Sequence, residues 1–404
     1  VVNHPLKIVM IGPFAFKPKG TVSVRTFFIA RALARRGHAV TILMPPYDNP
    51  ADSGRVWEAD GVRLENMAIR RNDLAHQIIV PAQMARRAAE LNPDVIHVFK
   101  PIGYSGLAGM YLRWFTQMPL VLDTDDWEGA GGWADVNPYP AQWRRLFDWQ
   151  ERWLARHADA VTVVSRTLQQ QVIGFGADPE RVVYLPNGPD VRLRKLAPVS
   201  DEESTEIRAG WGVGDAPVAL YLGTIPHGTD LDLALEALHI LQDRLPEARL
   251  VVAGVGEGLP LLQAQAERLN LGDRVVFPGW IEPEQAHAHV ASADVVVNPY
   301  RDSLINRSKC AGKVILGMAM GKAVVTSRLG ANLEYIEDGH SGVLTEPGDP
   351  GDLAQGLLSV LSDREWAVEL GRNARQQVWE RFDWDAQIGE VERAYQVALE
   401  REKS

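Results

Sequence analysis

Cysteine is almost absent from this 404-residue chain: Cys310 stands alone, which excludes an internal disulfide, and no Cys/His cluster has the spacing of a structural zinc site. A reducing compartment fits, and a cytoplasmic location is the expectation. No apolar run reaches the roughly 18–20 residues a membrane span needs, and the first residues lack a charged region followed by a long apolar one. A chain that crosses no bilayer is therefore expected. Basic residues are also in deficit, with a formal net charge of −10 that argues against a nucleic-acid partner. That total hides an asymmetry. Residues 1–196 hold 24 basic against 19 acidic side chains, a net of +5, while residues 197–404 hold 18 against 33, a net of −15. The basic half could approach an anionic membrane surface or an acidic acceptor, or its charge could be ordinary solvated surface.

What is present points to a large soluble α/β protein. Hydrophobic residues make up 46% and charged residues 23%, a globular composition. The length exceeds what one core organises, so two domains of roughly 200 residues are expected. The stretch at 305–330, INRSKCAGKVILGMAMGKAVVTSRLG, is the centre of the reading. Val314, Ile315, Met318 and Ala319 recur at helical spacing ahead of a buried strand at Val324–Thr326. Ser308, Lys309, Gly312 and Lys313 would then sit at the start of one helix, where backbone N–H groups and two ammonium groups could meet an anion such as a phosphate. A solvated helix start is the plain alternative.

Along the chain, strands alternate with helices twice over. In the first half KIVMIG (7–12) ends in Gly, and a loop at Lys19, Gly20 and Thr21 leads to a helix expected to turn Val24, Phe27, Phe28 and Ala34 inward and Arg31 and Arg35 outward. A ligand is expected at that loop, at the carboxyl end of a parallel strand. AVTILMP, PDVIHVFKP, MPLVLDTDDWEG, ADAVTVVS and VVYLPNG read as further strands, with GLAGMYLRWF as a helix between them. His97 alternates with apolar neighbours and reads as a packed core histidine. Asp123, Asp125, Asp126 and Glu128 crowd four carboxylates into six residues, costly unless ligands, cations or hydroxyls use them. Trp143, Leu146, Phe147, Trp153 and Leu154 form a core-like helical stripe. Trp127, Trp133 and Trp149 lie off it, as candidates for acceptor stacking or a membrane interface, with a lid as the alternative. Residues 189–216 read as a polar, irregular linker. VALYLG, ARLVVAG, RVVFPGW and ADVVVNPY then lead to the 305–330 stretch, and a lone amphipathic helix runs from Trp384 to Leu399.

Two doubly wound parallel-sheet domains carrying VVYLPNG, LVVAGVGEG, VVFPGWI, ADVVVNPY and GMAMGKAVVTSRLGANLEYIEDGHSGVLTEPGD together resemble the family 4 glycosyltransferases of the GT-B fold. The resemblance covers nearly the whole chain. It implies two Rossmann-like domains facing across a cleft: residues 1–196 on the acceptor side, 197–383 on the donor side, and 384–404 as a helix returning to the first domain. It also implies a retaining transfer from a nucleotide-diphosphate sugar to a glycan or lipid-linked acceptor. No separate cofactor and no metal is required. By position, Gly20 and Thr21 fall in the family's Gly-rich loop near the donor phosphates, and Asp125 falls about where many members place a histidine near the sugar. Gly279, Trp280 and Ile281 match the turn whose backbone reads the base, and Asn332, Leu333 and Glu334 match the loop before the family's glutamate–isoleucine pair.

Four positions depart from the pattern. Thr224 and Thr229 replace the usual Arg and Lys of the pyrophosphate clamp, and Ser308 and Leu316 replace the usual pair of glutamates. Two charge-assisted hydrogen bonds at ~1.5–3 kcal/mol each are at stake, and a helix terminus restores only ~0.3–2 kcal/mol. Either Arg307, Lys309 and Lys313 rebuild the clamp, or the chain is a non-catalytic GT-B scaffold of a glycan-assembly complex. The leading expectation is an enzyme, with Asp125, Asp126 and Lys313 carrying the chemistry and Trp127, Glu128, Trp133 and Trp149 meeting the acceptor. Peripheral contact at the inner face of a membrane is the accompanying expectation.

Overall fold

The structure, a computed structural model, describes residues 4–17, 20–47, 49–69, 76–310 and 312–401. Lys19, part of the expected phosphate loop, lies outside them. The chain forms two compact units. Unit 1 comprises Val1–Asn187, Ser308–Cys310 and Trp384–Ser404, and unit 2 comprises Gly188–Arg307 and Ala311–Asp383.

Unit 1 is built on eight strands: β1 (Lys7–Ile11), β2 (Ala39–Met44), β3 (Val56–Ala59), β4 (Val62–Asn66), β5 (Val95–Phe99), β6 (Leu120–Thr124), β7 (Ala160–Val163) and β8 (Val182–Tyr184). Their spatial order is β3-β4-β2-β1-β5-β6-β7-β8. All neighbours run parallel except the β3–β4 hairpin. β5, β6 and β7 are buried at every position because helices cover both faces, which is why VIHVF and AVTV read as continuous apolar runs. One face packs the helix Phe27–Arg35 and the last helix, Trp384–Arg401. Trp384, Ile388, Val391, Tyr395 and Ala398 make a buried stripe on that last helix. His97 is sealed in the core, with Nδ1 at 3.0 Å from Tyr395 Oη and Nε2 at 3.2 Å from Thr162 Oγ1.

The helix after β1 departs from expectation. Residues Val22–Thr26 are wound as a π-helix before the α-helix begins at Phe27. The wider turn shifts the inward face relative to a 3.6-residue period. Arg25 goes fully inside and Val24 is only half-buried. Arg31, expected outside, is buried, its guanidinium 5.0 Å from the Phe28 ring centroid and paired with Asp60.

Unit 2 holds β9 (Val218–Leu222), β10 (Arg249–Ala253), β11 (Val275–Gly279), β12 (Val295–Asn298), β13 (Ala323–Ser327) and β14 (Val343–Thr345), in the order β11-β10-β9-β12-β13-β14 and all parallel. Two readings change here. The segment read as irregular linker contains a helix, Asp201–Trp211. Ser200 Oγ caps it by accepting from Glu203 N at 3.1 Å, and Gly212 closes it at φ +69°. The S-D-E-E start is a capping signal that its polarity concealed. The single helix expected through Ser308 is two, Leu304–Ser308 and Gly312–Ala319. Ser308–Cys310 group with unit 1, where the Ser308 carbonyl accepts from Ser165 Oγ at 2.6 Å and Cys310 packs on the core. Among the described residues no helix is long and apolar enough to cross a membrane.

Candidate functional site

In unit 1 the chemistry gathers where β5 and β6 end. Asp123, last but one in β6, does not join the other carboxylates. It faces inward against Arg25 and accepts from Thr162 Oγ1 at 2.6 Å. The next three acids surround one cation. Lys100 Nζ lies 3.0 Å from Asp125 Oδ1, 2.7 Å from Asp126 Oδ2 and 2.5 Å from Glu128 Oε1. Lys100 follows β5 with φ +66°, a left-handed backbone rare for a lysine. Its own side chain supplies the charge that the sequence had left to a ligand or cation, a role no spacing announced.

Thr21 Oγ1 donates to Asp125 Oδ2 at 2.9 Å, which joins the loop before the first helix to the acidic turn. Gly20 begins that loop's winding, its carbonyl accepting from Ser23 N at 3.0 Å. Beneath the acidic loop, Glu151 accepts from the backbone N–H groups of Glu128 at 3.0 Å and Gly129 at 2.9 Å. Asp148 accepts from Ala130 N and Asp135 from Gly131 N, so carboxylates hold four consecutive amides.

The electrostatics follow from three carboxylates around one ammonium. Burial pushes the Glu128 carboxyl up to about 7, with Lys100 opposing and Asp126 and Asp125 adding to the rise. Burial also raises Glu151 to about 7 against the pull of its two backbone donors. Asp125 is held below the ordinary carboxylate range because Lys100, Arg25 and Thr21 together outweigh its burial. Lys100 stays charged: burial works against it, and Asp125, Asp126 and Glu128 outweigh that. The oxygens of Asp125, Asp126 and Glu128 lie within 4.8 Å of one another, a metal-like spacing, yet the lysine occupies their common centre.

The three tryptophans separate. Trp127 is half-buried and pinned through Nε1 to the Ala130 carbonyl at 2.9 Å. Trp133 is half-buried at the start of the short helix Trp133–Val136. Trp149 is 43% exposed on the helix Ala141–His157, whose buried face is Phe147, Gln150, Glu151 and Leu154.

Unit 2 presents a second constellation. Gly223 follows β9 at φ +150°, and a Cβ there would collide with Lys313 Cε. Lys313 reaches across the bare turn until Nζ stands 4.9 Å from the Tyr221 ring centroid. Burial lowers its ammonium to about 8, and among the described residues no carboxylate pairs with it. Thr224 is exposed and Thr229 half-buried in the following loop. Arg301, not singled out from the sequence, grips Asp232 at 2.5 and 2.7 Å and Asp230 at 3.3 Å beside Thr229. Arg307 is taken up by Asp302 at 2.5 Å.

Gly279 closes β11 at φ +84°, with Trp280 47% exposed and Ile281 half-buried. Asn332 is buried, its Nδ2 donating to Thr326 Oγ1 and to the Ser327 carbonyl, each at 2.9 Å, while Leu333 is exposed and Glu334 half-buried. Gly20, Thr21, Ser308 and Lys309 belong to unit 1; Thr224, Thr229, Arg307, Lys313 and the 279–281 and 332–334 turns belong to unit 2.

A glycosyl transferase 4-like domain matches residues 20–188, and the glycosyl transferases group 1 domain matches residues 203–377. The chain belongs to the retaining family 4 glycosyltransferases of the GT-B fold. Such enzymes transfer a sugar from a nucleotide donor. An uncharacterized glycosyltransferase of Methanocaldococcus jannaschii is 25% identical to this family 4 member, over 98% of this chain and 99% of its own. The D-inositol 3-phosphate glycosyltransferase of Geodermatophilus obscurus is 28% identical over 94% of this chain and 85% of its own. Among solved structures, Anabaena HepE in complex with UDP-glucose superposes with a TM-score of 0.75 at 20% identity, covering 96% of this glycosyltransferase and all of HepE. That last likeness speaks to the fold.

Proposed function

We propose that this glycosyltransferase moves a hexose, with retention, from a nucleotide-diphosphate sugar held by the domain at 197–383 to a hydroxyl of a glycan or lipid-linked acceptor held by the domain at 1–196, with 384–404 returning to the latter. The observation that carries the reading is Lys313, a half-buried ammonium with no carboxylate partner among the described residues, laid against the side-chain-free turn at Gly223. A buried cation without a counter-ion suits an anion that arrives with the substrate. The β–α turn after a parallel strand is where such a fold receives phosphates.

The roles divide accordingly. Lys313 stabilises the departing diphosphate, whose developing charge is the main electrostatic demand of the reaction. In retaining transfer the leaving phosphate takes the acceptor proton, so no dedicated base is assigned. Thr224 and Thr229 contribute hydroxyls, and Gly20 and Thr21 offer a backbone N–H and a hydroxyl to the donor phosphates, the first after leaving Ser23 Oγ and the second after leaving Asp125. Arg307, Ser308 and Lys309 are auxiliary donor-side residues, with Arg307 first having to leave Asp302. The turns at Gly279, Trp280 and Ile281 and at Asn332, Leu333 and Glu334 receive the base and sugar. Asp125, held below the ordinary carboxylate range beside Lys100, accepts hydrogen bonds from sugar hydroxyls together with Asp126, and Glu128, Trp127, Trp133 and Trp149 face the acceptor. Peripheral seating at an anionic inner membrane face belongs to the same proposal. Its support is the exposed Phe115 and the Trp114, Trp153 and Trp149 rings, spaced 5.6 and 6.3 Å apart.

A thermal-shift panel of nucleoside diphosphates and their sugar conjugates tests the donor claim, because selective binding to the native state raises the melting temperature. Uridine diphosphate is the first member, since HepE is bound to UDP-glucose in its crystal. One diphosphate should stabilise the parent and fail to stabilise Lys313→Ala. A flat response across the panel would overturn the donor assignment.

A further inference from the structure

Unit 2 carries a second cationic place, remote in sequence from the turns assigned to the donor. A hollow of about 390 Å³ is lined by Arg194, Arg372, Arg375, Gln376, Trp379 and Glu380. Four of these, Arg372, Arg375, Gln376 and Trp379, recur at helical spacing on Arg364–Arg381 and so share one face. Arg194 comes from the turn Val191–Lys195, and its guanidinium lies 4.5 Å from the Trp379 ring centroid.

The hydrogen-bonding capacity here is one-sided. Arg194 is tied to Asp383 at 2.9 Å and to the Trp379 carbonyl at 3.3 Å, which uses part of its five-donor fork. Arg372 and Arg375 are exposed and have no ion-pair or hydrogen-bond partner among the described residues. The Trp379 indole N–H is buried and lacks an acceptor among the described residues. Against these donors stand two carboxylates, Asp383, which is taken up by Arg194, and Glu380, which already accepts from Gln376 Nε2 at 3.0 Å. Two like charges three residues apart on a helix repel. They do so in a half of the chain whose net charge is −15, where cations are scarce. Guanidinium forks match phosphate oxygens in pairs, and a donor surplus calls for a ligand that only accepts.

We propose that this hollow is a phosphate-binding site separate from the donor site, taking a phosphate monoester or inorganic phosphate between Arg372, Arg375 and the free edge of Arg194. The source of the phosphate, a soluble ester or a lipid headgroup, is separated by the test.

The full chain, Arg372→Ser/Arg375→Ser and Lys313→Ala are each titrated with inorganic phosphate against chloride at matched ionic strength, with the melting temperature as readout. Phosphate should stabilise the parent and Lys313→Ala alike, and its apparent affinity should fall about tenfold or more in the double variant. These arginines are on the surface, so the double variant should keep the parent's melting temperature in chloride. In parallel, the parent and double variant are sedimented with phosphatidylcholine vesicles with and without phosphatidic acid. Binding to the acidic vesicles that the double variant loses assigns the site to a lipid phosphate. A response to inorganic phosphate without vesicle binding assigns it to a soluble ester. The proposal is overturned if neither ligand binds, if the double variant responds as the parent does, or if Lys313→Ala alone abolishes the response.

Discussion

Arg25 and Asp123 meet in a two-pronged ion pair, Nε to Oδ1 and Nη2 to Oδ2 each at 2.7 Å, with both side chains sealed from solvent. The remaining Arg25 donors reach Asn187 Oδ1 at 2.8 Å and the Leu185 carbonyl at 3.0 Å. One guanidinium therefore joins the π-helical turn, the end of β6 and the segment after β8. Removing one partner leaves the other charge buried and uncompensated, a loss of roughly 3–5 kcal/mol. Arg25→Ala and Asp123→Ala should each lower the unfolding free energy by that order, and the double change Arg25→Met/Asp123→Leu should recover much of it. Urea denaturation followed by tryptophan fluorescence reads this, and additive losses in the double variant would contradict the pairing.

Glu128 and Glu151 set a pH dependence whose sign is opposite to the usual carboxylate case. Both rise from 4.5 to about 7 in the folded chain. Between those values the native state binds more protons than the unfolded chain, so stability falls as pH rises from about 4.5 to 7 and levels off above. Each group accounts for on the order of 3 kcal/mol across that window. Asp125, held low, acts the other way, and its contribution is lost only in stronger acid. Unfolding midpoints at pH 5.5 and 8 should favour pH 5.5 in this window, and Glu128→Gln should shrink the difference. An unchanged slope in that variant would place the dependence elsewhere.

The strand–helix alternation was legible because parallel strands such as VIHVF and AVVTS are buried at every position, mostly apolar, and bounded by Gly or polar turns. The acidic turn was legible as a cluster, since charges that close in sequence stay close in space. Its internal cation was not: Lys100 is 25–28 residues away from the carboxylates it joins and enters only because β5 lies beside β6, with a backbone conformation that lysine seldom adopts. Arg25 was missed for a related reason, since a π-helical turn moves the inward face and a 3.6-residue period cannot foresee it. Lys313 was singled out by position, but its contact with Gly223 depends on a fold-level neighbour, not on spacing.

On the acceptor side, Trp149 and Trp133 should behave differently from Trp127. Trp149 is largely free of the core, so Trp149→Ala should leave the unfolding free energy within about 0.5 kcal/mol of the parent. If it meets acceptor, transfer to acceptor should fall while donor hydrolysis persists. Trp133→Ala should show the same split with a modest loss of stability. Trp127→Ala should lower both, because its indole is tied to Ala130 and packs on the core. Transfer and hydrolysis assays run on the same preparations make the comparison, and parallel losses in all three variants would return these rings to packing.

Lys313 offers the sharpest test of the donor site, since its charge can be removed by mutation, by pH or by crowding the turn beneath it. Lys313→Ala should weaken diphosphate binding by ~1.5–3 kcal/mol, roughly tenfold to a hundredfold or slightly more, without unfolding the chain. Its ammonium is lowered to about 8 by burial, so as pH rises through that value the free protein loses the charge and diphosphate affinity should decline. At pH 9 the parent should approach Lys313→Ala, whose affinity should change little between pH 7.5 and 9. Gly223→Ala should act on the same contact from the other side, because the new methyl group clashes with Lys313 Cε at a φ of +150° that alanine seldom adopts. Conversely, Thr224→Arg with Thr229→Lys should strengthen diphosphate binding by adding charge where the turn has only hydroxyls. Calorimetric titration at the two pH values reads all of these. A parent whose affinity is flat from pH 7.5 to 9, together with a Lys313→Ala variant that binds as tightly, would remove Lys313 from the donor site.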